Sequence, residues 1–67
     1  MAILKVLEIL ASDKKSWEGA AQSAVKEASK TVRGIRSVNI TNQSAVVVKG
    51  KITEYRVNCK ITFSLDK

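Results

Sequence analysis

The sequence predicts an α+β fold of order β-α-β-β, with one helix packed on a three-stranded antiparallel sheet. Three observations lead there. From Thr53 to Asp66, the apolar residues Tyr55, Val57, Cys59, Ile61, Phe63 and Leu65 alternate with polar ones, which is the period of a strand with one dry face. Trp17, Ala20, Ala21, Ala24, Val25, Ala28, Val32 and Ile35 follow i, i+3, i+4, i+7 spacing, the signature of a helix with one apolar stripe. Lys49-Gly50 separates two extended stretches, as a two-residue hairpin turn does.

The first strand spans Ile3 to Leu10. It is apolar on both faces, with Leu4, Val6 and Leu10 against Ile3, Leu7 and Ile9. Such a strand is expected to be central or covered on both sides. Ser12 to Lys15 reads as a polar loop. Ser16 is a good N-cap, and Glu18 in the first turn meets the positive end of the helix dipole. The stripe predicts a helix of about five turns running to Ile35. Its many alanines let it lie close to a sheet. Lys26, Lys30 and Arg33 fall towards the negative end, and Gly34 suits the left-handed position that closes a helix.

The turn at Lys49-Gly50 sets the hairpin register. It predicts Val48 opposite Lys51, Val46 opposite Thr53, Ser44 opposite Tyr55, Gln43 opposite Arg56, Ile40 opposite Cys59 and Val38 opposite Ile61. Val38, Ile40 and Val46 then share the helix-side face with the apolar residues of the last strand. The opposite face carries Ser37, Asn39, Thr41, Gln43, Ala45 and Val47 with Ile52, Glu54, Arg56, Asn58, Lys60 and Thr62. One short helix cannot cover both sides of three long strands, so the middle of this second face is expected to line a subunit or ligand interface. Arg56 stands out there, because its guanidinium fork suits carboxylates, phosphates and aromatic planes. Its plainer role is a cross-strand pair with Gln43 or an intersubunit salt bridge with Glu54.

Length and composition point to assembly. The chain has 67 residues, one domain spanning 1–67. A domain this small buries only ~60% of the surface its unfolded chain exposes and commonly needs outside support. Cys59 is the single cysteine and there is no histidine, which rules out an internal disulfide and argues against a zinc site of the usual kind. Extended at ~3.3 Å per residue, Thr53 to Leu65 reaches about 40 Å. A compact domain of this length has a radius of gyration near ~11 Å, so the strand overruns its own globule.

Twelve basic against six acidic residues give a net charge of +6. These charges are scattered over helix, turn and strand, and only three aromatics are available for base stacking, so nucleic acid is not the expected partner. No apolar run approaches the ~20 residues of a membrane span and no signal peptide is visible; the expected location is the cytoplasm. With no histidine, a core-facing thiol and no paired carboxylates, the expected role is binding rather than catalysis.

The chain resembles the dodecins. The resemblance covers nearly its whole length and rests on Lys5-Val6-Leu7-Glu8-Ile9, on Ser16-Trp17-Glu18-Gly19-Ala20-Ala21-Gln22, on Ala28-Ser29-Lys30-Thr31-Val32-Arg33, on Gly50-Lys51-Ile52-Thr53-Glu54-Tyr55-Arg56-Val57 and on Phe63-Ser64-Leu65. It implies a hollow homododecamer, a tetramer of trimers, that stores and buffers a small-molecule ligand. Many members bind riboflavin or FMN, stacking paired flavin rings between tryptophans, and some hold coenzyme A at trimer contacts. The stacking tryptophan of the flavin binders falls on Ser37 here, and the glutamine that hydrogen-bonds the ring edge falls on Arg56. Each lost aromatic wall is worth roughly 1–3 kcal/mol, so the departure at both positions predicts weakened flavin binding. Ser37, Arg56 and Gln43 are the candidate ligand-binding residues. The alternatives are a structural dodecamer without flavin, or one that takes coenzyme A-type phosphates or a metal cation, as the resemblance to the non-flavin branch implies. No calcium ligands are carried over from that branch.

Overall fold

The computed structural model describes residues 3–65; Asp66, the polar end of the expected alternation, lies outside the described residues. The order is β1 (Leu4–Asp13), α1 (Trp17–Ala28), β2 (Ile35–Val48) and β3 (Lys51–Ser64). The three strands form one antiparallel sheet in the order β1-β3-β2. The expected fold class therefore holds. The long alternating strand, β3, is the centre of the sheet. β1 is an edge strand rather than a central one, and the chain covers only one of its two apolar faces, leaving Leu4, Val6 and Leu10 more than half exposed.

Overrun of the globule is visible in the shape. The radius of gyration is 13.6 Å and the extents are 51 × 20 × 13 Å, against ~11 Å expected for a compact chain of this size.

The core lies between α1 and the middle of β3. Ala20, Ala24 and Ala28, each one turn from the next, are buried against Val57, Cys59 and Ile61. Small side chains on the helix let its axis approach the sheet, and each buried branched side chain of β3 contributes roughly 1.5–3 kcal/mol. The helix covers β1 and β3 better than β2: Val38 and Ile40 face its side of the sheet but remain 37% and 38% exposed.

The helix begins as expected. Ser16 Oγ accepts from the Gly19 N–H at 2.9 Å. Ahead of it, the Asp13 carboxylate accepts from the backbone N–H groups of Lys15 (2.8 Å) and Ser16 (3.0 Å). These bonds, Lys15 first, hold the Asp13 carboxyl below its ordinary pKa. The helix ends sooner than the apolar stripe suggests, at Ala28 rather than near Ile35. Ser29 Oγ donates to the Lys26 carbonyl (2.7 Å) and Thr31 Oγ1 to the Ala28 carbonyl (3.3 Å). Ser and Thr compete in this way with the helical ladder and favour termini. Val32 and Ile35 still pack on the core, but from the loop and the start of β2. Gly34 is left-handed, with φ 74°, yet it does not cap the helix. It admits the close approach of Ser64, whose N–H donates to the Gly34 carbonyl at 2.9 Å.

The hairpin turn forms at Lys49-Gly50, with φ of 52° and 79°, the paired positive values of a type I′ turn. The register holds at both ends of the hairpin: Val48 opposite Lys51, Ile40 opposite Cys59, Val38 opposite Ile61. Its centre is shifted by one. Irregularities between Ile40 and Asn42 and between Val46 and Val47 bracket a segment in which Gln43 pairs with Val57, Ser44 with Arg56, Ala45 with Tyr55 and Val46 with Glu54. Thr41 is the extra residue on β2 and Thr53 on β3, so the two bulges compensate. Their hydroxyls hold the partner strand, Thr41 Oγ1 to the Asn58 carbonyl (2.8 Å) and Thr53 Oγ1 to the Val46 carbonyl (3.4 Å). A one-residue slip inverts every side chain. Gln43 and Ala45 therefore turn to the helix side, and Asn42, Ser44 and Val46 to the other.

Candidate ligand-binding face

The sheet face away from α1 is built from alternate residues of each strand. β1 contributes Leu4, Val6, Glu8, Leu10 and Ser12; the paired positions on β3 are Ser64, Thr62, Lys60, Asn58 and Arg56. β2 adds Ser37, Asn39, Asn42 and Ser44 opposite Thr62, Lys60, Asn58 and Arg56. Polar side chains thus fill the centre, and the β1 edge carries Leu4, Val6 and Leu10, interrupted by Glu8. Leu4, Val6 and Leu10 are 52%, 58% and 67% exposed.

The three candidate residues do not meet within one chain. Arg56 stands between Ser12 and Ser44. Ser37 shares its face but lies opposite Thr62, six residues along β3 from Arg56, or about 20 Å at ~3.3 Å per residue. Gln43 points to the other side, opposite Val57, because of the bulge at Thr41. The expected cross-strand pair of Gln43 with Arg56 is replaced by Ser44 with Arg56. Ser37 and Arg56 therefore do not form one compact site within a single chain.

Around Arg56 there is a shallow cavity of ≈ 260 Å³, lined by Leu10, Ala11, Ser12, Glu54 and Arg56. Arg56 has no hydrogen-bonded or ion-paired side-chain partner among the described residues, which leaves its five N–H donors for another molecule. Leu10 and Ser12 were not singled out as site residues from the sequence. The signal for Leu10 was there, in the second apolar face of the first strand.

Aromatic side chains are absent from this face among the described residues. Trp17, Tyr55 and Phe63 are the aromatics of the chain, and Tyr55 and Phe63 stand at the odd, helix-side positions of β3. Trp17 packs edge-on to Tyr55 with ring centroids 4.8 Å apart, and its Nε1–H donates to the Ser44 carbonyl at 2.9 Å. Trp17 is thus a packing residue that pins the helix start to β2 and offers no wall to a flavin ring. Nor do the residues of one chain fit a metal ion: no group of three His, Cys, Asp or Glu comes together among the described residues. Cys59 is buried, donates to the Ile9 carbonyl at 3.5 Å, and burial pushes its pKa up. A second hollow of ≈ 610 Å³ follows the loop Ser29–Ile35 and includes Lys30 and Arg33. No helix is long and apolar enough to cross a membrane among the described residues.

A single helix drying one face of a long three-stranded antiparallel sheet, with the other face uncovered within the chain, defines a class of small β-α-β-β folds. The Dodecin family model matches residues 3–66, and this chain belongs to the dodecin family. It is similar to the calcium dodecin of Mycobacterium tuberculosis, with 38% identity over 66 residues, 97% of this chain and 92% of the relative. A solved structure of that calcium dodecin, described as a calcium-chelating antigen with a novel calcium-binding site, superposes with a TM-score of 0.82 at 34% identity, covering 96% and 91% of the two chains. The R45A mutant of Thermus thermophilus dodecin superposes with a TM-score of 0.93 at 22% identity over the full length of both chains. Dodecin from Streptomyces coelicolor gives 0.92 at 23% identity, covering 98% and 94%. At these lower identities the likeness concerns the fold.

Proposed function

We propose that the chain assembles with itself into a hollow homododecamer, a tetramer of trimers, that binds and stores a small molecule and carries out no catalysis. The observation that carries this is the uncovered sheet face, where Leu4, Val6 and Leu10 lie more than half exposed beside a polar row centred on Arg56. An apolar strip of this kind on a 67-residue domain fits a subunit contact, and the polar row beside it fits the lining of a ligand space. Membership of the dodecin family supports the same reading. The lack of histidine and the burial of Cys59 favour binding over turnover. The expected location is the cytoplasm.

Riboflavin and FMN are the first ligands to test, and weak binding is expected, because this face brings no aromatic wall and Ser37 stands where the flavin binders carry tryptophan. Arg56 and the surrounding charge favour ligands with phosphate groups, FMN and coenzyme A among them. A second reading is calcium storage, favoured by the 38% identity to a calcium dodecin. Calcium prefers six to eight oxygen ligands, and a single chain here does not assemble them, so a calcium site would have to be shared between copies.

The test is light scattering on the purified protein, with titration of riboflavin, FMN, coenzyme A and calcium into the same sample. A twelve-subunit particle with weak flavin quenching is expected. Ser37→Trp combined with Arg56→Gln should strengthen quenching by ~10-fold or more, since it restores an aromatic wall. A monomer at micromolar concentration would sink the assembly reading, and an unchanged affinity in the double variant would sink the placement of the ligand.

A further inference from the structure

The loop that leads from α1 to β2 curls around a hollow of ≈ 610 Å³, lined by residues 29–35. Its hydrogen-bonding groups divide into those in use and those left over. The last carbonyls of α1 are in use. Val25 accepts from the Ser29 N–H, Lys26 from Ser29 Oγ, Glu27 from the Lys30 N–H, and Ala28 from the N–H groups of Thr31 and Val32. The negative end of the helix is thus met by donors of its own loop. The hydroxyls are occupied as well, since Ser29 Oγ and Thr31 Oγ1 both donate to helix carbonyls. Four donor groups remain. The N–H groups of Arg33 and Gly34 have no hydrogen-bond partner among the described residues, and neither has the Arg33 guanidinium. Lys30 Nζ holds only Glu27, at 3.2 Å, in a largely exposed pair of the kind that contributes little and is readily exchanged.

A guanidinium fork, an ammonium and two consecutive backbone N–H groups beside a left-handed residue are the parts of an oxyanion site. Gly34 supplies the left-handed turn, with φ 74°. Its carbonyl accepts from the Ser64 N–H at 2.9 Å, which ties the turn to the end of β3 and holds its donors in place before a ligand arrives, so less ordering is needed on binding. From this we infer that the loop binds the phosphate group of a phosphorylated small molecule. Arg33 and Lys30 meet its charge, and the N–H groups of Arg33 and Gly34 meet its remaining oxygen lone pairs. The hollow exceeds the size of one phosphate, and half-buried Val32 and Ile35 offer apolar wall to the organic part of the ligand. This place is separate from the cavity at Arg56. Gly34 adjoins Ser64, eight residues along β3 from Arg56, or about 26 Å at ~3.3 Å per residue.

Inorganic phosphate and pyrophosphate are the probes, titrated into the purified chain by calorimetry. Arg33→Ala should weaken pyrophosphate binding by ~10-fold or more, as the loss of a charge-assisted pair does, and Lys30→Ala by less. Arg33→Lys keeps the charge but loses the fork and should fall between Arg33→Ala and wild type. Lys51→Ala, which removes a charge at the far end of the hairpin, should leave the affinity unchanged, and so should Arg56→Gln. The amide resonances of Arg33 and Gly34 should move on titration. Far-UV circular dichroism checks that each variant is folded; the substituted side chains are exposed. Three results overturn the inference. One is no binding at millimolar pyrophosphate. Another is equal weakening by Arg33→Ala and Lys51→Ala, which would mean a general attraction to a chain of net charge +6. The third is loss of binding in Arg56→Gln with Arg33→Ala unaffected, which would put the phosphate on the open sheet face. None of the three bears on whether the chain assembles.

Discussion

On the helix side of the sheet, Val57, Cys59 and Ile61 are fully buried beneath Ala20, Ala24 and Ala28. On the other side of the same strands, Leu4, Val6 and Leu10 stay more than half exposed. Both regions carry the strand period that marks a face for burial, and only one receives a partner from within the chain. The comparison teaches that a regular apolar pattern states that a face is to be dried but not by what. In a chain of 67 residues the helix is the one element available to cover the sheet, and its twelve residues cover one side of β1 and β3. Within the chain the remaining face stays uncovered, and it is the face to which the proposed function assigns the ligand and the neighbouring copies.

The sharpest way to break this contrast is on the dry side. Ile61→Ala removes a fully buried side chain packed against the helix alanines. It should cost about 2–5 kcal/mol, the range for large-to-small core changes, and a urea titration should show the loss as a lower midpoint. A shift well under 1 kcal/mol would mean that the core relaxes to fill the space. On the open side, Leu10→Asp should leave the helix signal in circular dichroism largely intact while moving the population in light scattering towards smaller species. A fully assembled Leu10→Asp particle would show that this row is not at a contact.

The smallest expected effect concerns the loop between β1 and α1. The Asp13 carboxyl is held below its ordinary pKa, chiefly by the Lys15 N–H and then by that of Ser16. Its folded value is lower than its unfolded one, so its contribution is complete above the unfolded carboxylate range and disappears as pH falls through the lowered folded value. Melting temperatures of wild type and Asp13→Asn should therefore differ at neutral pH and converge in acid. Equal differences at every pH would assign the effect to packing rather than charge. Gly19 belongs to the same device, since a Cβ there would meet Asp13 Oδ2 at 2.6 Å.

The sequence showed the helix side of β3 plainly. Strict alternation from Tyr55 onward has no competing explanation, and Val57, Cys59 and Ile61 are buried as that pattern requires. The helix start was equally legible, because a cap is a local event: Ser16 makes its bond within three residues. The helix end was not. Val32 and Ile35 continue the spacing but reach the core from a loop and a strand, and side-chain hydroxyls at Ser29 and Thr31 closed the helix first. Gln43 was misplaced for a different reason. The turn sets a register that is right at both ends, and a pair of compensating bulges at Thr41 and Thr53 moves the middle by one. No local pattern announces such bulges, since threonine is at home in any strand.

The sequence by itself determined the order of the elements, the dry face of β3, the turn at Lys49-Gly50 and the resemblance to the dodecins. Each follows from short-range periodicity, local capping or a set of matching residues. Only the tertiary structure decided that β3 is central and β1 an edge, that Gln43 faces the helix, and that Arg56 stands beside Ser12 and Ser44 about 20 Å from Ser37. Strand order and bulges are settled by the packing of all three strands and the helix at once, and that balance is not written in any one of them.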